Sequence, residues 1–137
     1  MEIIHQAADI KVFYVKAKSF PEGISESLER IHQLAPSSPD RKFFGLSRPE
    51  NGSIIYLAAA EEMETGESEK INCPSLILRK GAYMSEPIRD YIKDLSLIGK
   101  TFTELLKKPG LDPEGYCVEW YLSDKEMNCM VRMGHDE

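Results

Sequence analysis

The sequence is poor in the side chains that hold metals or build disulfide frameworks. Its 137 residues include three cysteines and three histidines, with no C-x-x-C pair and no spacing typical of a zinc site. An odd number of separated cysteines indicates reduced thiols, as found in the cytosol. We therefore expect no metal, no cofactor and a cytoplasmic location.

Long apolar runs and basic clusters are also missing. No stretch reaches the roughly 18 to 20 apolar residues that cross a bilayer, and polar residues interrupt positions 1–18, where a signal peptide would need an apolar core. The longest basic cluster is Lys107-Lys108, and the formal net charge is -6. The sequence thus predicts neither membrane contact nor direct nucleic-acid binding.

Familiar catalytic motifs are absent as well. There is no glycine-rich phosphate loop, no G-x-S-x-G and no calcium-binding loop. What remains is a composition with 42% hydrophobic and 29% charged residues, which is typical of an ordinary globular protein. This length and composition predict one domain over residues 1–137.

The first half of the chain predicts a strand, a helix and a hairpin. Residues 10–17 are rich in β-branched and aromatic side chains, which favours a strand. A helix is predicted to start near Pro21, because an apolar stripe with a spacing of three and four follows: Ile24, Leu28, Ile31 and Leu34. Residues 42–47 and 53–60 then predict two strands around a turn at 49–52.

The second half predicts the same order of elements. A strand over 74–84 with a bulge at Gly81 is followed by a helix that starts near Pro87 and bends at Gly99, and by strands over 116–122 and 126–133. The acidic segment 61–70 between the halves is interpreted as solvated. We predict an α+β fold of two βαββ repeats, at about 8–63 and 74–134 with a linker at about 61–73. The sheet should be mostly antiparallel, with two helices on one face and a ligand groove between the repeats.

Side-chain alternation in the two hairpins points to Glu119. If the last turn centres on Asp124 and Lys125, Glu119 lies opposite Met130, on the face away from the helices, and Trp120 lies beneath them. In the first hairpin Gly45 should lie opposite Tyr56. Both hairpins then present aromatic side chains to a cleft with Glu119 at its floor, which is typical of a ligand site. The alternative is that Glu119 pairs with Arg132 across the strands, in water.

The candidate ligand-binding residues follow from this arrangement. Tyr83 and Tyr91 border the second helix entry and either rim the cleft or pack, and Cys117 and Cys129 are interpreted as buried structural thiols. The predicted ligand-binding set is Glu119, Tyr121, Tyr56, Phe43, Met130, Cys117 and Tyr83. In a hydrolytic enzyme, Glu119 and Tyr121 would be the catalytic pair.

An ordered set of segments resembles the GyrI-like small-molecule-binding family, also called the bacterial transcription activator effector-binding domain. The segments are FFGLS, IIYLAAAEE, LRKGAYMS, GYCVEWY and CMVRM. The resemblance implies a duplicated βαββ fold (SHS2 type) with a groove that binds lipophilic or cationic ligands. It implies that Glu119 is a buried ligand-binding glutamate and that Tyr121 and Tyr56 are its aromatic companions.

Three functions are compatible with these features. The first is a stand-alone binding protein, such as a sensor or a sequestering protein, related to regulators that carry a separate DNA-binding domain. The second is a hydrolase of strained or toxic small molecules, with Glu119 as general base. The third is a protein-interaction role such as gyrase inhibition, in which the acidic segment would imitate DNA phosphates. The sequence makes no prediction of the oligomeric state.

Overall fold

A computed structural model describes residues 1–36 and 38–134, so His135 lies outside the described residues. Three α-helices and eight strands make up this part of the chain. They are β1 (Glu2–Gln6), β2 (Ile10–Lys16), α1 (Ile24–Leu34), β3 (Phe43–Glu50), β4 (Ser53–Glu61), α2 (Glu67–Ile71), β5 (Ser75–Leu78), β6 (Gly81–Arg89), α3 (Ser96–Leu105), β7 (Cys117–Tyr121) and β8 (Glu126–Arg132). A short 3₁₀ turn, Tyr91–Lys93, precedes α3.

The eight strands form a single antiparallel sheet. Its strand order is β1-β6-β8-β7-β3-β4-β2-β5, and every neighbouring pair is antiparallel. The predicted α+β class and antiparallel sheet are therefore confirmed. The two hairpins β3–β4 and β7–β8 meet in the middle of the sheet, where β3 pairs with β7.

Two short connections force this sheet to curl into a half-barrel. Strands β1 and β2 are six positions apart in the sheet. In a flat sheet the distance between them would be about 29 Å. Only residues 7–9 join them, and such a link spans at most about 14 Å. Likewise only Arg79 and Lys80 join β5 to β6. Side chains from both ends, such as Leu78 and Tyr83, consequently pack in one apolar cluster on the concave face.

The two longer helices cover the convex face without meeting over its centre. Helix α1 packs on β2 and β4, and α3 packs on β6 and β8. Ile31 of α1 is buried against Phe13, beside the small residues Ala58 and Ala60 of β4. Leu105 of α3 packs in a separate cluster with β8. The expectation that both helices share one face is correct, and the middle strands β3 and β7 lie between them.

The sheet has two more strands than the sequence predicted. Strand β1 was not predicted, and the single strand expected over 74–84 is two strands that pair at opposite ends of the sheet. The chain breaks at Arg79-Lys80, and Gly81 follows with a φ of 129°, which favours glycine. The predicted bulge at Gly81 is therefore a strand boundary.

The second helix is shorter than the apolar stripe indicated. Pro87 and Ile88 belong to β6, opposite Asn128 and Met127 of β8, and do not start a helix. Ile88 of β6 and Phe102 of α3 are buried in the same cluster. The apolar pattern therefore continues from the strand into the helix and does not show where one ends and the other begins. Gly99 lies within α3, which runs unbroken from Ser96 to Leu105.

The acidic segment is not a solvated linker. Glu67 begins helix α2 and forms a bidentate ion pair with the buried Arg41, at 2.9 and 3.0 Å. Glu62 accepts a hydrogen bond from the backbone N–H of Ser68 at 2.9 Å. The prediction failed because composition cannot reveal which carboxylates find internal partners. Glu64 and Glu69 do remain exposed.

Candidate functional site

The candidate site lies on the strip of the convex face that the helices leave uncovered. In the middle of the sheet Phe43 pairs with Tyr121 and Gly45 pairs with Glu119. Phe43 packs in the cluster under α1, and Tyr121 in the cluster under α3, so these strand positions face the helix side. Glu119 shares this face because side chains two residues apart on a strand point the same way. The site is thus the floor of a groove between α1 and α3.

This placement corrects the predicted face of Glu119. The β7–β8 turn contains three residues centred on Asp124, and Glu119 lies opposite Cys129, one position from the predicted Met130. The side chain of Ser123 fixes this turn by accepting hydrogen bonds from the N–H groups of Lys125 and Glu126. A shift of one residue reverses the faces of one strand relative to its partner. Here Met127 and Cys129 of β8 keep their predicted place under α3, and β7 is the strand whose faces are reversed.

A carboxylate and two phenols form a hydrogen-bonded chain in this groove. The Tyr121 hydroxyl donates to Oε1 of Glu119. The hydroxyl oxygens of Tyr121 and Tyr56 are 3.1 Å apart. Since Tyr121 has one hydroxyl proton and gives it to the carboxylate, Tyr56 donates to Tyr121. Three of the predicted site residues are therefore in direct contact.

Gly45 makes room for this chain. It lies opposite Ala58 and not opposite Tyr56 as predicted. The Tyr56 hydroxyl nevertheless reaches across it, because a Cβ at position 45 would lie 2.2 Å from that oxygen and 3.0 Å from Oε1 of Glu119. The predicted consequence of a missing side chain, space for the Tyr56 ring, is confirmed although the pairing was wrong.

Partial burial controls the protonation of the chain. Burial raises the pKa of Glu119 to about 7, and the hydrogen bond from Tyr121 opposes this shift. Burial and the nearby Glu119 charge raise the pKa of both Tyr56 and Tyr121, so the phenols stay protonated at neutral pH. Burial also raises the pKa of Cys117 to about 11, which supports a structural thiol.

No protein cation neutralises Glu119 within residues 1–36 and 38–134. None of the ion pairs found there includes it, and Arg132, the predicted alternative partner, binds Asp112 and the Lys80 carbonyl on the other side of the sheet. A partly buried carboxylate without a counter-charge is unfavourable unless something complements it. Such groups are candidates for ligand recognition.

Aromatic rings border the groove. The Tyr91 ring lies 6.1 Å from Tyr121 and packs, partly buried, against the cluster under α3. The Phe20 ring is 6.4 Å from Tyr56, and the imidazole of His32 stacks on Phe43 at 4.0 Å. Phe20 and His32 were missed, because neither lies in a strand and only the packing of α1 brings them to the groove.

Two predicted site residues lie elsewhere. Met130 and Tyr83 are buried in the cluster on the concave face, so the sheet separates them from Glu119. Trp120, expected beneath the helices, is on that same concave face, where Lys42 lies 5.6 Å above its ring. Cys117 does share the face of Glu119, two residues away along β7.

Cavities are present on both faces. One of about 350 Å³ lies between α1 and the β7–β8 turn, and Phe43 and Tyr121 are in its lining, whereas Glu119 is not. A groove of about 500 Å³ on the concave side contains Arg48 and Arg132. Arg48 already binds Glu50 and the Glu114 carbonyl, and Arg132 binds Asp112, so these cations serve the fold.

In the part of the chain that the structure describes, no three His, Cys, Asp or Glu side chains are placed to hold a metal ion. Over the same residues, none of the helices combines the length and the hydropathy needed to cross a bilayer.

Comparison with solved structures identifies the fold. An integron cassette protein from the mobile metagenome of Vibrio cholerae is similar with a TM-score of 0.70 and 12% identity, over 96% of this chain and 94% of that one. SAV2435 bound to tetraphenylphosphonium is similar with a TM-score of 0.61 and 13% identity, over 96% and 94%. A hydrolase from Listeria innocua is similar with a TM-score of 0.57 and 9% identity, over 96% and 90%.

These similarities establish a shared half-barrel fold over nearly the whole of each chain. In one of these structures, that of SAV2435, tetraphenylphosphonium is bound. At the level of sequence, no protein-family profile matches the chain. No curated protein matches it either.

Proposed function

We propose that this protein is a cytoplasmic binding protein for lipophilic cations, with Glu119 as the counter-charge and Tyr56, Tyr121 and Phe43 as apolar walls. The observation that carries the proposal is the partly buried Glu119 carboxylate, which among the described residues has a phenol partner but no cationic one. Aromatic faces attract organic cations, and attraction to a carboxylate is stronger away from water.

The proposal places the chain in the GyrI-like family, as one domain with two βαββ repeats. The strand order supports the repeats. From the β3–β7 contact outward, the order is β3-β4-β2 on one side and β7-β8-β6 on the other. In each half the strand after the helix is therefore innermost and the strand before the helix is the third one out. The structure of SAV2435 with tetraphenylphosphonium supports the class of ligand. The ligand would be sensed or sequestered.

Tetraphenylphosphonium is expected to raise the melting temperature of the wild type, because a ligand that binds only the folded state stabilises it. Glu119→Gln removes the charge but keeps the shape, and should abolish the shift measured by differential scanning fluorimetry. The matched control is Glu104→Gln on the exposed side of α3, which should retain it. An equal shift in all three proteins would contradict the proposed role of Glu119.

Binding of this cation is expected to strengthen as the pH rises. The cation itself does not titrate, and the pKa of Glu119 is about 7. Below that value each bound cation must displace a proton, so affinity should approach a tenfold loss per pH unit. Isothermal titration calorimetry at several pH values measures this, and Glu119→Gln should bind weakly with no such dependence.

The same carboxyl group has the opposite effect on folding. Its pKa is raised from 4.5 to about 7 in the folded protein, so its contribution to stability is present below pH 4.5 and is lost as the pH rises through 7. Ligand-free stability and cation affinity should therefore change in opposite directions over this interval. That pattern distinguishes titration of Glu119 from general unfolding at low pH.

A hydrolase is the second candidate, favoured by the contact between Tyr121 and a carboxyl group whose pKa is about 7. Such a carboxylate is suited to take a proton from water, and the phenol of Tyr121, which stays protonated, can donate a hydrogen bond to the negative charge that develops. The hydrolase from Listeria innocua has the same fold. Turnover of a cyclopropane or epoxide by the wild type, lost in Glu119→Gln and kept in Glu104→Gln, would favour this function over binding alone.

Gyrase inhibition through the acidic segment has less support. Glu61, Glu62 and Glu67 are engaged within the fold. Of this segment only Glu64 and Glu69 are exposed, and Glu69 pairs with Lys11 at 3.5 Å. A surface that imitates DNA needs a longer row of exposed charges.

A further inference from the structure

Strand β1 has a row of unpaired backbone groups along its outer side. It is at one end of the sheet, and among the described residues it pairs only with β6. The direction of the β6 backbone shows which groups of β1 are left. The N–H of Met133 donates to the carbonyl of Ala82 at 2.8 Å, so Ala82 is directed towards β8. Because this direction alternates along a strand, Tyr83 is directed towards β1, where it pairs with Ile4.

The residues on either side of Ile4 therefore direct their N–H and C=O groups away from the sheet. They are Ile3 and His5, and both are exposed, with 53% of Ile3 accessible to solvent. Ile3 is on the helix side, opposite Met84 of the cluster under α3. Ile4 packs against the concave cluster. An exposed edge that combines free backbone groups with apolar side chains is a template for another strand.

The opposite end of the sheet is protected against such pairing. Strand β5 has only four residues, Pro74 precedes it, and Arg79 and Lys80 follow it. Short length, proline and lysine are features that keep edge strands from pairing with other chains. Strand β1, with the sequence EIIHQ, contains no proline, lysine or arginine. Of the two edges, β1 is thus the one that can accept a partner.

The sequence of β1 is complementary to itself in an antiparallel pair. A two-fold axis at Ile4 is the arrangement that pairs all five residues of each strand. Each residue then lies opposite one of the other copy: Ile4 opposite Ile4, Ile3 opposite His5, and Glu2 opposite Gln6. The outward groups of Ile3 and His5 meet, so each of these pairs exchanges both of its backbone hydrogen bonds.

Charge selects the same register. The Glu2 carboxylate lies opposite the side-chain amide of Gln6, which keeps one N–H after its bond to the Ala8 carbonyl and can donate it to the carboxylate. An axis at Ile3 would instead put Glu2 opposite the apolar Ile4. An axis at Glu2 would put two carboxylates opposite each other, which is destabilising.

We propose that β1 is the interface of a symmetric dimer, in which the β1 strands of two copies of this chain join their sheets into one. The same edge of each copy is used, so association stops at two copies. Strands β6 and β8 separate this edge from β7, so the Glu119 groove is unaffected. A five-residue strand is about 17 Å long, and such a small contact predicts a dissociation constant of about 10 to 100 µM.

Sedimentation velocity over a concentration series should show a reversible equilibrium between monomer and dimer. Ile3→Lys puts a cation into the interface from each copy and should weaken the dimer at least about tenfold. The matched control is Ile77→Lys at the β5 edge, where the isoleucine is 47% exposed, and it should leave the equilibrium unchanged. Ile3→Pro removes an N–H that the monomer does not use, so it should keep the native circular dichroism spectrum and also lose the dimer.

Amide hydrogen exchange followed by NMR locates the contact. The N–H groups of Ile3 and His5 should exchange severalfold more slowly at high protein concentration than at low, whereas that of Ile4 is protected at both because it bonds to β6. A monomer at every concentration, with unchanged exchange at Ile3 and His5, would overturn the proposal. So would a dimer that persists in both Ile3→Lys and Ile3→Pro, or one that Ile77→Lys disrupts instead.

Discussion

Replacement of Arg41 by methionine is expected to lower the free energy of unfolding by about 3 to 5 kcal/mol, because it leaves the Glu67 carboxylate buried without its partner. The Arg41 side chain is 3% exposed and that of Glu67 is 10% exposed. Arg41 also donates to the carbonyl oxygens of Pro36 and Glu61. One side chain thus holds together the end of α1, the end of β4 and the start of α2.

Two controls separate the buried pair from charge removal in general. Lys107→Met breaks the exposed pair with Glu104 and should cost less than about 1 kcal/mol. The double variant Arg41→Met with Glu67→Gln should be more stable than Arg41→Met alone, because no buried charge remains. Urea denaturation measures all four proteins. A similar loss in Arg41→Met and Lys107→Met would show that the buried pair has no special role.

The pH dependence of this pair has the opposite sign from that of Glu119. The hydrogen bonds from Arg41 lower the pKa of Glu67 from 4.5 to about 2. The stabilisation is therefore complete above pH 4.5 and is lost as the pH falls towards 2. The wild type should lose more stability over that interval than the double variant does.

Local patterns in the sequence were sufficient for most of the fold. The hairpin β3–β4, helix α1 and the pair β7–β8 lie where alternation and spacing predicted them, because each is stabilised by neighbours in sequence. Strand β1 and the division between β5 and β6 were missed, since they depend on pairing across the curled sheet. The boundary at Pro87 was wrong because the cluster beneath α3 continues the apolar pattern from strand to helix.

The site residues also divide into those that local alternation places and those that depend on contacts distant in sequence. Glu119, Tyr121, Tyr56 and Phe43 share one face as predicted, because alternation fixes which residues of a strand point the same way, but this is the helix side and not the face away from the helices. Met130 and Tyr83 lie on the opposite face. The three-residue turn at 123–125 puts Met130 out of phase with Glu119, and no pattern reveals which end of a curled sheet meets the other. Phe20 and His32 reach the groove only through tertiary packing.

Substitution of Gly45 by alanine is expected to affect ligand binding as strongly as the loss of Glu119. The new Cβ would lie 2.2 Å from the hydroxyl oxygen of Tyr56 and 2.8 Å from the ring carbon that bears it. Tyr56 is 1% exposed and has little space to withdraw, so its hydrogen bond to Tyr121 should break. We expect at least a tenfold loss of tetraphenylphosphonium affinity and about 1 to 3 kcal/mol lower stability.

Gly99→Ala is the matched control, because an added Cβ there meets no atom within 4 Å. Alanine favours a helix over glycine by up to about 1 kcal/mol, so this variant should be equally or more stable and bind normally. Combining Gly45→Ala with Tyr56→Phe removes the closest contact. The double variant should therefore lose less stability than the sum of the losses measured for the two single variants. If Gly45→Ala behaves like Gly99→Ala, the phenol chain is free to rearrange, and Glu119 does not depend on a fixed position between the two strands.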